Sequence, residues 1–418
     1  MKRYEEYKDS GVQWLGKVPS HWNPCRFKNF VSLINSPSAD ENKIGLENIE
    51  SGTGRFIETD SEFEGNGVQY VENDIVYGKL RPYLKKVWLA TNKGNAVGDF
   101  FVFRAKKSSS SYGKWLMLSD GFTSEANGST FGAKMPRVSS DFILSMHYAL
   151  PPLSEQQLIA SFLDAKTKPI DNIMSKRKKQ IELLEEMKSA IISCAVTKGL
   201  NSNAKMKDCG IEWIGEIPEG WEAADLKRYA KISTGKTPST KYDEYFENEE
   251  VVWFTPGDFP DNGIFLMDSS RKIDKRAIEA NEAFLYPERS VYLVGIGGTL
   301  GKIGIFKDKA SCNQQINIII CKANVCKKFV AYYLYSKREI LKVYSNAATL
   351  PILNQEKTGY IKIVMPPMDE QQAVVSYLDS ETSKLDARIV KRRKQIELLQ
   401  EYKQALITDA VTGKIDVR

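Results

Sequence analysis

The sequence predicts an α+β protein in which two globular bodies alternate with two long helices. The helices are expected to pair as an antiparallel coiled-coil rod, relating the halves of the chain as a pseudo-two-fold internal repeat. Three observations predict this: a long helical stretch occurs twice, a tryptophan-bearing segment occurs twice, and the intervening bodies mix strand-like with helix-like runs.

The helical repeat comes first in weight. Pro151-Pro152-Leu153-Ser154-Glu155-Gln156-Gln157 returns as Pro366-Pro367-Met368-Asp369-Glu370-Gln371-Gln372. Lys176-Arg177-Lys178-Lys179-Gln180-Ile181-Glu182-Leu183-Leu184 returns as Lys391-Arg392-Arg393-Lys394-Gln395-Ile396-Glu397-Leu398-Leu399. About 25 of 47 aligned positions are identical with no slip of register, which marks internal duplication. Ser154 with Gln157, and Asp369 with Gln372, fit an N-cap and its reciprocal partner, and the proline pairs mark an extended approach. Ile170, Ile173, Ile181, Leu184, Met187 and Ile191 recur at near-heptad spacing, as do Leu385, Ile389, Ile396, Leu399, Tyr402 and Leu406. Such a stripe packs one helix along another. From Ile170 to Val196 the run is roughly 40 Å long at 1.5 Å per residue. Pro169, whose counterpart is Lys384, is expected in the first turn of the long helix, where a missing N–H costs little. The plainer alternative is that each helix only covers its own body.

A second repeat opens each half. Trp14, Gly16, Pro19 and Trp22 correspond to Trp213, Gly215, Pro218 and Trp221, each following a Lys-Asp-x-Gly turn. This predicts a turn-rich strap whose indoles plug onto a body. The polar stretch from Leu200 to Lys205 is the expected linker. The expected domains are 1–150, a helical region and linker over 151–205, 206–365, and a second helical region over 366–418. The bodies proper, 23–150 and 222–365, carry strand-like runs such as Phe101-Val102-Phe103, Val251-Val252-Trp253-Phe254, Val291-Tyr292-Leu293-Val294 and Ile316-Asn317-Ile318-Ile319-Ile320. Helical stretches, among them Ser111 to Leu118 and Lys327 to Lys342, are interleaved. The body interiors do not align convincingly, which suggests two readers of different targets on one symmetric frame.

Composition narrows the function. With 418 residues, 42% hydrophobic and 27% charged, the chain suits a soluble protein of two or more domains. A formal charge of +6 is compatible with nucleic acid without demanding it. There is no apolar leader at Met1-Lys2-Arg3-Tyr4 and no stretch long enough to span a bilayer, so a cytoplasmic protein with no membrane contact is expected. Six cysteines without a CxxC pair and only two histidines argue for reduced thiols, no metal and no cofactor.

Candidate binding residues lie in three places. If Val76–Lys86 is extended, period two places Lys79, Arg81, Tyr83 and Lys85 on one face, cations interleaved with an aromatic that suit phosphates and base edges. The competing reading is an edge strand with a solvated face, which Pro82 favours. In the second body, the glycine-rich stretch from Gly295 to Gly304 fails the P-loop pattern, with Ile296 and Ile303 at key positions. A tight hairpin that lets a ligand approach the backbone suits it better, with Thr299 and Lys302 as candidates. Lys236 and Thr237 sit in a turn whose hydroxyls and amine could reach phosphates, or equally in a capped surface loop. The basic runs 176–179 and 391–394 are expected to be mostly solvated. No catalytic constellation is visible, so the chain is not expected to be an enzyme.

Taken together, the duplicated Pro-Pro-x-x-Glu-Gln-Gln starts, the Gln-Ile-Glu-Leu-Leu rods, the Trp-x-Gly-x-x-Pro straps, Tyr77-Gly78-Lys79-Leu80-Arg81-Pro82-Tyr83 and Gly298-Thr299-Leu300-Gly301-Lys302 resemble the specificity subunits of type I restriction–modification systems. The resemblance covers essentially the whole chain. It implies two target-recognition domains that each read half of a split, asymmetric site in double-stranded DNA. It also implies a helical rod that sets the unread gap and docks two methyltransferase subunits, with restriction/translocase subunits joining a larger complex. A rod of about 40 Å is close to one helical turn of DNA, which suits that arrangement. The alternative is a duplicated coiled-coil scaffold that binds proteins without sequence-specific DNA contact.

Overall fold

The computed structural model describes residues 2–38, 40–132, 134–344 and 352–418. The chain divides into two compact units, one of Met1–Lys179 with Arg392–Arg418 and the other of Gln180–Lys391. Both long helices are continuous, Leu153–Lys198 and Met368–Val411, and the division falls inside each of them. Each unit therefore holds the N-terminal part of one helix and the C-terminal part of the other.

The helix starts differ in detail from the sequence reading. The Pro152 and Pro367 carbonyls accept the first intrahelical bonds, from the Gln156 and Gln371 amides at 2.9 Å. The second proline of each pair is thus the cap, and Ser154 and Asp369 lie inside the first turn. A proline carbonyl accepts as well as any other, and its missing N–H is not needed outside the helix. Pro169 is also corrected: it lies well inside the first long helix. Pro169 and Ala165 are both exposed, so the carbonyl left without its usual donor faces water. At the far ends, Gly199 (φ +73°) and Gly413 (φ +71°) turn the chain out of the helix. A Cβ on Gly413 would lie 2.4 Å from Pro19 Cδ, so the strap closes directly over that helix end.

Within each unit the two helix segments run antiparallel and join the body's core. In the first, Ile159 and Leu163 of one helix and Leu406, Ile407 and Val411 of the other meet Trp22, Phe27, Phe30 and Tyr112. In the second, Ile192 and Val196 with Val374 and Leu378 meet Trp221, Leu226, Phe329 and Tyr333. Of the seam residues, Ile170, Leu385, Ile389 and Leu406 are buried, while Ile181, Leu184, Ile191, Ile396 and Leu399 are half-buried. Ile173, Met187 and Tyr402 are corrections, since each is exposed. The inward positions beside them belong to Met174, Lys188 and Lys403. Lys188 donates to Asp386 and Lys403 to Asp171, both at 2.7 Å. Their aliphatic stems fill the seam while the ammonium heads reach a carboxylate. The residue numbers of each pair add to 574, so both pairs obey one antiparallel register.

The bodies share a topology that their sequences conceal. The first has a four-stranded sheet in the order Val31–Ile34, Phe100–Ala105, Ile75–Gly78, Val87–Leu89. The second repeats it with Ala230–Thr234, Ile316–Cys321, Ser290–Val294, Ile303–Ile305. All neighbours are antiparallel. Entry and exit strands pair in both, Asn23–Arg26 with His147–Leu150 and Glu222–Asp225 with Lys362–Met365. The straps are hairpins, Tyr7–Asp9 with Lys17–Pro19 and Met206–Asp208 with Glu216–Pro218. The expected helix from Lys327 to Lys342 is broken at Lys337 into Lys327–Ser336 and Arg338–Tyr344.

Candidate nucleic-acid interface

Duplicated side chains on the long helices hold each body in place. The Trp22 indole donates to Glu155 at 3.1 Å and the Trp221 indole to Glu370 at 2.8 Å, so the two sequence repeats meet in one hydrogen bond. Gln156 donates to the Pro151 carbonyl and accepts from the Ser109 amide, each at 2.9 Å. Gln371 donates to Pro366 and accepts from the Cys326 amide, each at 2.8 Å. Nine residues beyond Glu155, Asp164 accepts from Lys114 and from the Trp115 indole at 3.0 Å. Its counterpart Asp379 accepts from Lys328 at 2.6 Å and from the Tyr332 hydroxyl at 2.8 Å.

The two glycine- and cation-bearing stretches prove to be the same element. Residues 79–86 join Ile75–Gly78 to Val87–Leu89, and residues 295–302 join Ser290–Val294 to Ile303–Ile305, the matching hairpin of the other sheet. The first tip is not the extended segment expected. Pro82–Leu84 forms a 3-10 turn flanked by Arg81 (φ +50°) and Lys85 (φ +49°), both left-handed. Alternation therefore fails, and the four candidates separate. Lys79 lies 3.8 Å from Asp99. Lys85 pairs with Asp120 and donates to Gln404 of the second long helix at 2.8 Å. Arg81 and Tyr83 stay exposed. In the second tip Thr299 is half-buried, and Lys302 donates to Asp261 at 2.6 Å and to the Phe259 carbonyl at 3.2 Å. Lys236 and Thr237 lie on another loop, where Lys236 donates to the Asn281 carbonyl at 2.6 Å and Thr237 to Gln314.

Sequence reasoning missed the loop that supports the first tip. Leu80 and Phe131 both bridge to Arg137, and the Arg81 amide donates to the Pro136 carbonyl at 2.7 Å. Arg137 clamps Asp99 through Nε and Nη2 at 3.0 and 2.9 Å. That hydrogen bond holds the Asp99 carboxyl below the usual carboxylate range. Around it stand the exposed Arg81, Tyr83, Phe131, Lys134 and Met135. The only sequence signal was an aromatic between small residues and a Lys-Met-Pro turn, which by itself marks any loop. Because the folded pKa of Asp99 is depressed, the clamp's contribution is complete above the ordinary aspartate range near pH 4 and is lost as pH falls through the lower folded value. Asp99→Asn is expected to remove it at neutral pH, seen as faster hydrogen exchange at the Arg81 and Val138 amides. Unchanged protection there would contradict the clamp.

The whole arrangement can be compared with known proteins. The sequence matches the type I restriction modification DNA specificity domain over residues 25–183 and again over 218–398. The chain belongs to this family. It is 26% identical to the type I restriction enzyme MjaVIII specificity subunit of Methanocaldococcus jannaschii over all of this chain and 98% of that one. It is also 26% identical to the EcoR124I/EcoR124II specificity subunit of Escherichia coli, over 51% of this chain and 56% of the other. A solved chain, described as the structural basis underlying complex assembly and conformational transition of the type I R-M system, superposes with a TM-score of 0.72. The overlap covers 95% of this chain and 99% of that one at 17% identity, and it supports the fold. The two matched stretches each run from a body into its following helix, so family membership extends over both halves. Among the described residues no helix is long and apolar enough to cross a membrane, and no cluster of metal-ligating side chains occurs.

Proposed function

We propose that this chain is the non-catalytic, DNA-reading subunit of a cytoplasmic type I restriction–modification complex. Each body, within 1–150 and 206–365, contacts one half of a split, asymmetric site in double-stranded DNA. The helical regions over 151–205 and 366–418 set the unread gap and dock two methyltransferase subunits, with restriction/translocase subunits joining the larger assembly. The observation that carries the reading is the matching pair of hairpin tips, one topology presenting different side chains. Arg81, Tyr83, Phe131 and Lys134 surround the first, whereas Gly297, Gly298 and Thr299 form the second. Phosphate contacts from such tips would fix position, and base-edge contacts would supply specificity. Lys79, Lys236 and Lys302, each engaged within its own body, and Lys85, held by Asp120 and by Gln404 of the second long helix, serve this interface by shaping loops.

Methylome sequencing of the host with and without the gene tests the proposal. A split motif is expected to vanish with the gene. Exchanging residues 23–150 for the body of another family member is expected to change one half of that motif and leave the other intact. Loss of no motif, or a change in both halves, would defeat the reading.

A further inference from the structure

We propose that Phe131 acts as a wedge at the first body's half-site, its ring entering a base step from the minor groove and partly unstacking it. The inference rests on the DNA-reading role above and adds how one half of the site is sensed. Phe131 is 62% exposed, yet its backbone is fixed, exchanging hydrogen bonds with Arg137 at 3.1 and 3.0 Å. Met135 and Tyr83, 48% and 51% exposed, are held on the same two loops through the Arg137 and Pro136 pairings. Three large apolar side chains bared on a pinned scaffold mark a contact surface rather than scattered exposure.

The flanking charge indicates the occupant. Arg81 and Lys134 are exposed cations on these same loops, while Asp99, the carboxylate held in the clamp, is occupied by Arg137 and Lys79. Cations beside a projecting Phe and Met match the composition of side-chain wedges that kink a duplex while neighbouring basic residues hold phosphates. The corresponding tip of the second body ends in Gly297-Gly298-Thr299. The half-site read by the first body is therefore sensed in part through deformability.

The test uses the full chain assembled with methyltransferase subunits and duplexes bearing the motif found by methylome sequencing. 2-Aminopurine is placed in turn at each position of both half-sites except the methylated base. Wild type is expected to raise fluorescence at one step of one half-site beyond any increase beside the methylated bases, which the methyltransferases themselves unstack. Phe131→Ala should abolish that signal and weaken specific binding roughly tenfold to a hundredfold, the range of a lost aromatic–base stack. The slope of affinity against salt should stay the same because no phosphate contact is lost. Phe131→Trp should retain the signal. Wild-type fluorescence and affinity in Phe131→Ala overturn the wedge and leave the DNA-reading role standing, as does reduced capture of methyltransferase with DNA binding unchanged. A wild-type complex that prefers no duplex would instead remove the underlying role.

Discussion

Asp171→Ala is expected to destabilise the first unit by about 3–5 kcal/mol, the usual result of stripping one partner from a buried ion pair. Asp171 and Lys403 are 8% and 4% exposed, so the ammonium left behind has little access to water. Arg55 also reaches Asp171, at 3.1 Å, and would lose its partner at the same time. The matched change Asp386→Ala should cost less. Lys188 is nearly as buried as Lys403, but Asp386 is half exposed and shields a site that water can partly reach. Replacing Asp171 and Lys403 together by leucine should recover much of the loss, because well-packed apolar residues often equal a buried pair. Hydrogen exchange at the amides of Leu406–Val411 reads the effect locally. A drop in protection of at least about a hundredfold is expected for Asp171→Ala at 1.4 kcal/mol per factor of ten. Wild-type protection would show that the pair contributes little.

The second large effect concerns the gap in the DNA site. Duplicating one heptad in both long helices, residues 180–186 and 395–401, keeps the seam in phase and lets the inserted turns face each other. The added rise is about 10 Å, close to three base pairs of duplex. The helix surface drifts only about 20° per heptad, whereas three base pairs turn by roughly 100° at 10–10.5 base pairs per turn. Under the proposed division of labour, methylated sites should show a gap longer by about three base pairs, with weaker modification because DNA must twist to present both half-sites. Sequencing the modified genome checks this. An unchanged gap would remove the helices' role as a ruler.

What could be seen in the sequence follows from how local the signal was. Phe101–Phe103, Val291–Val294 and Ile316–Ile320 lie in strands because their β-branched and aromatic runs have no competing local signal. Trp22 and Trp221 are buried because fixed glycine and proline offsets shape the straps that carry them. The tip at 79–85 misled for a physical reason. Alternating cations and apolar residues imitate a strand, and nothing local announces that Arg81 and Lys85 adopt left-handed backbone around Pro82. Hydropathy favours Met187 and Tyr402 for the seam over Lys188 and Lys403 because it ranks lysine outside. The acceptors that bring those lysines in, Asp386 and Asp171, lie on the opposite helix. The common topology of the bodies was hidden because strand order survives substitutions that leave no alignable residues. Phe131 was missed because exposure is a property of the fold, and a lone phenylalanine in a sequence is ordinarily core.

Gln156 and Gln371 carry a consequence for how such proteins diversify. Each ties a long helix to a body through a main-chain amide, that of Ser109 or of Cys326, and any amino acid except proline supplies that donor. The coupling is indifferent to which side chains a body carries there. A foreign body with any residue but proline at that position keeps this tie, so exchange of whole bodies asks the frame to re-form only the side-chain contacts at Asp164 and Asp379 and the shared core.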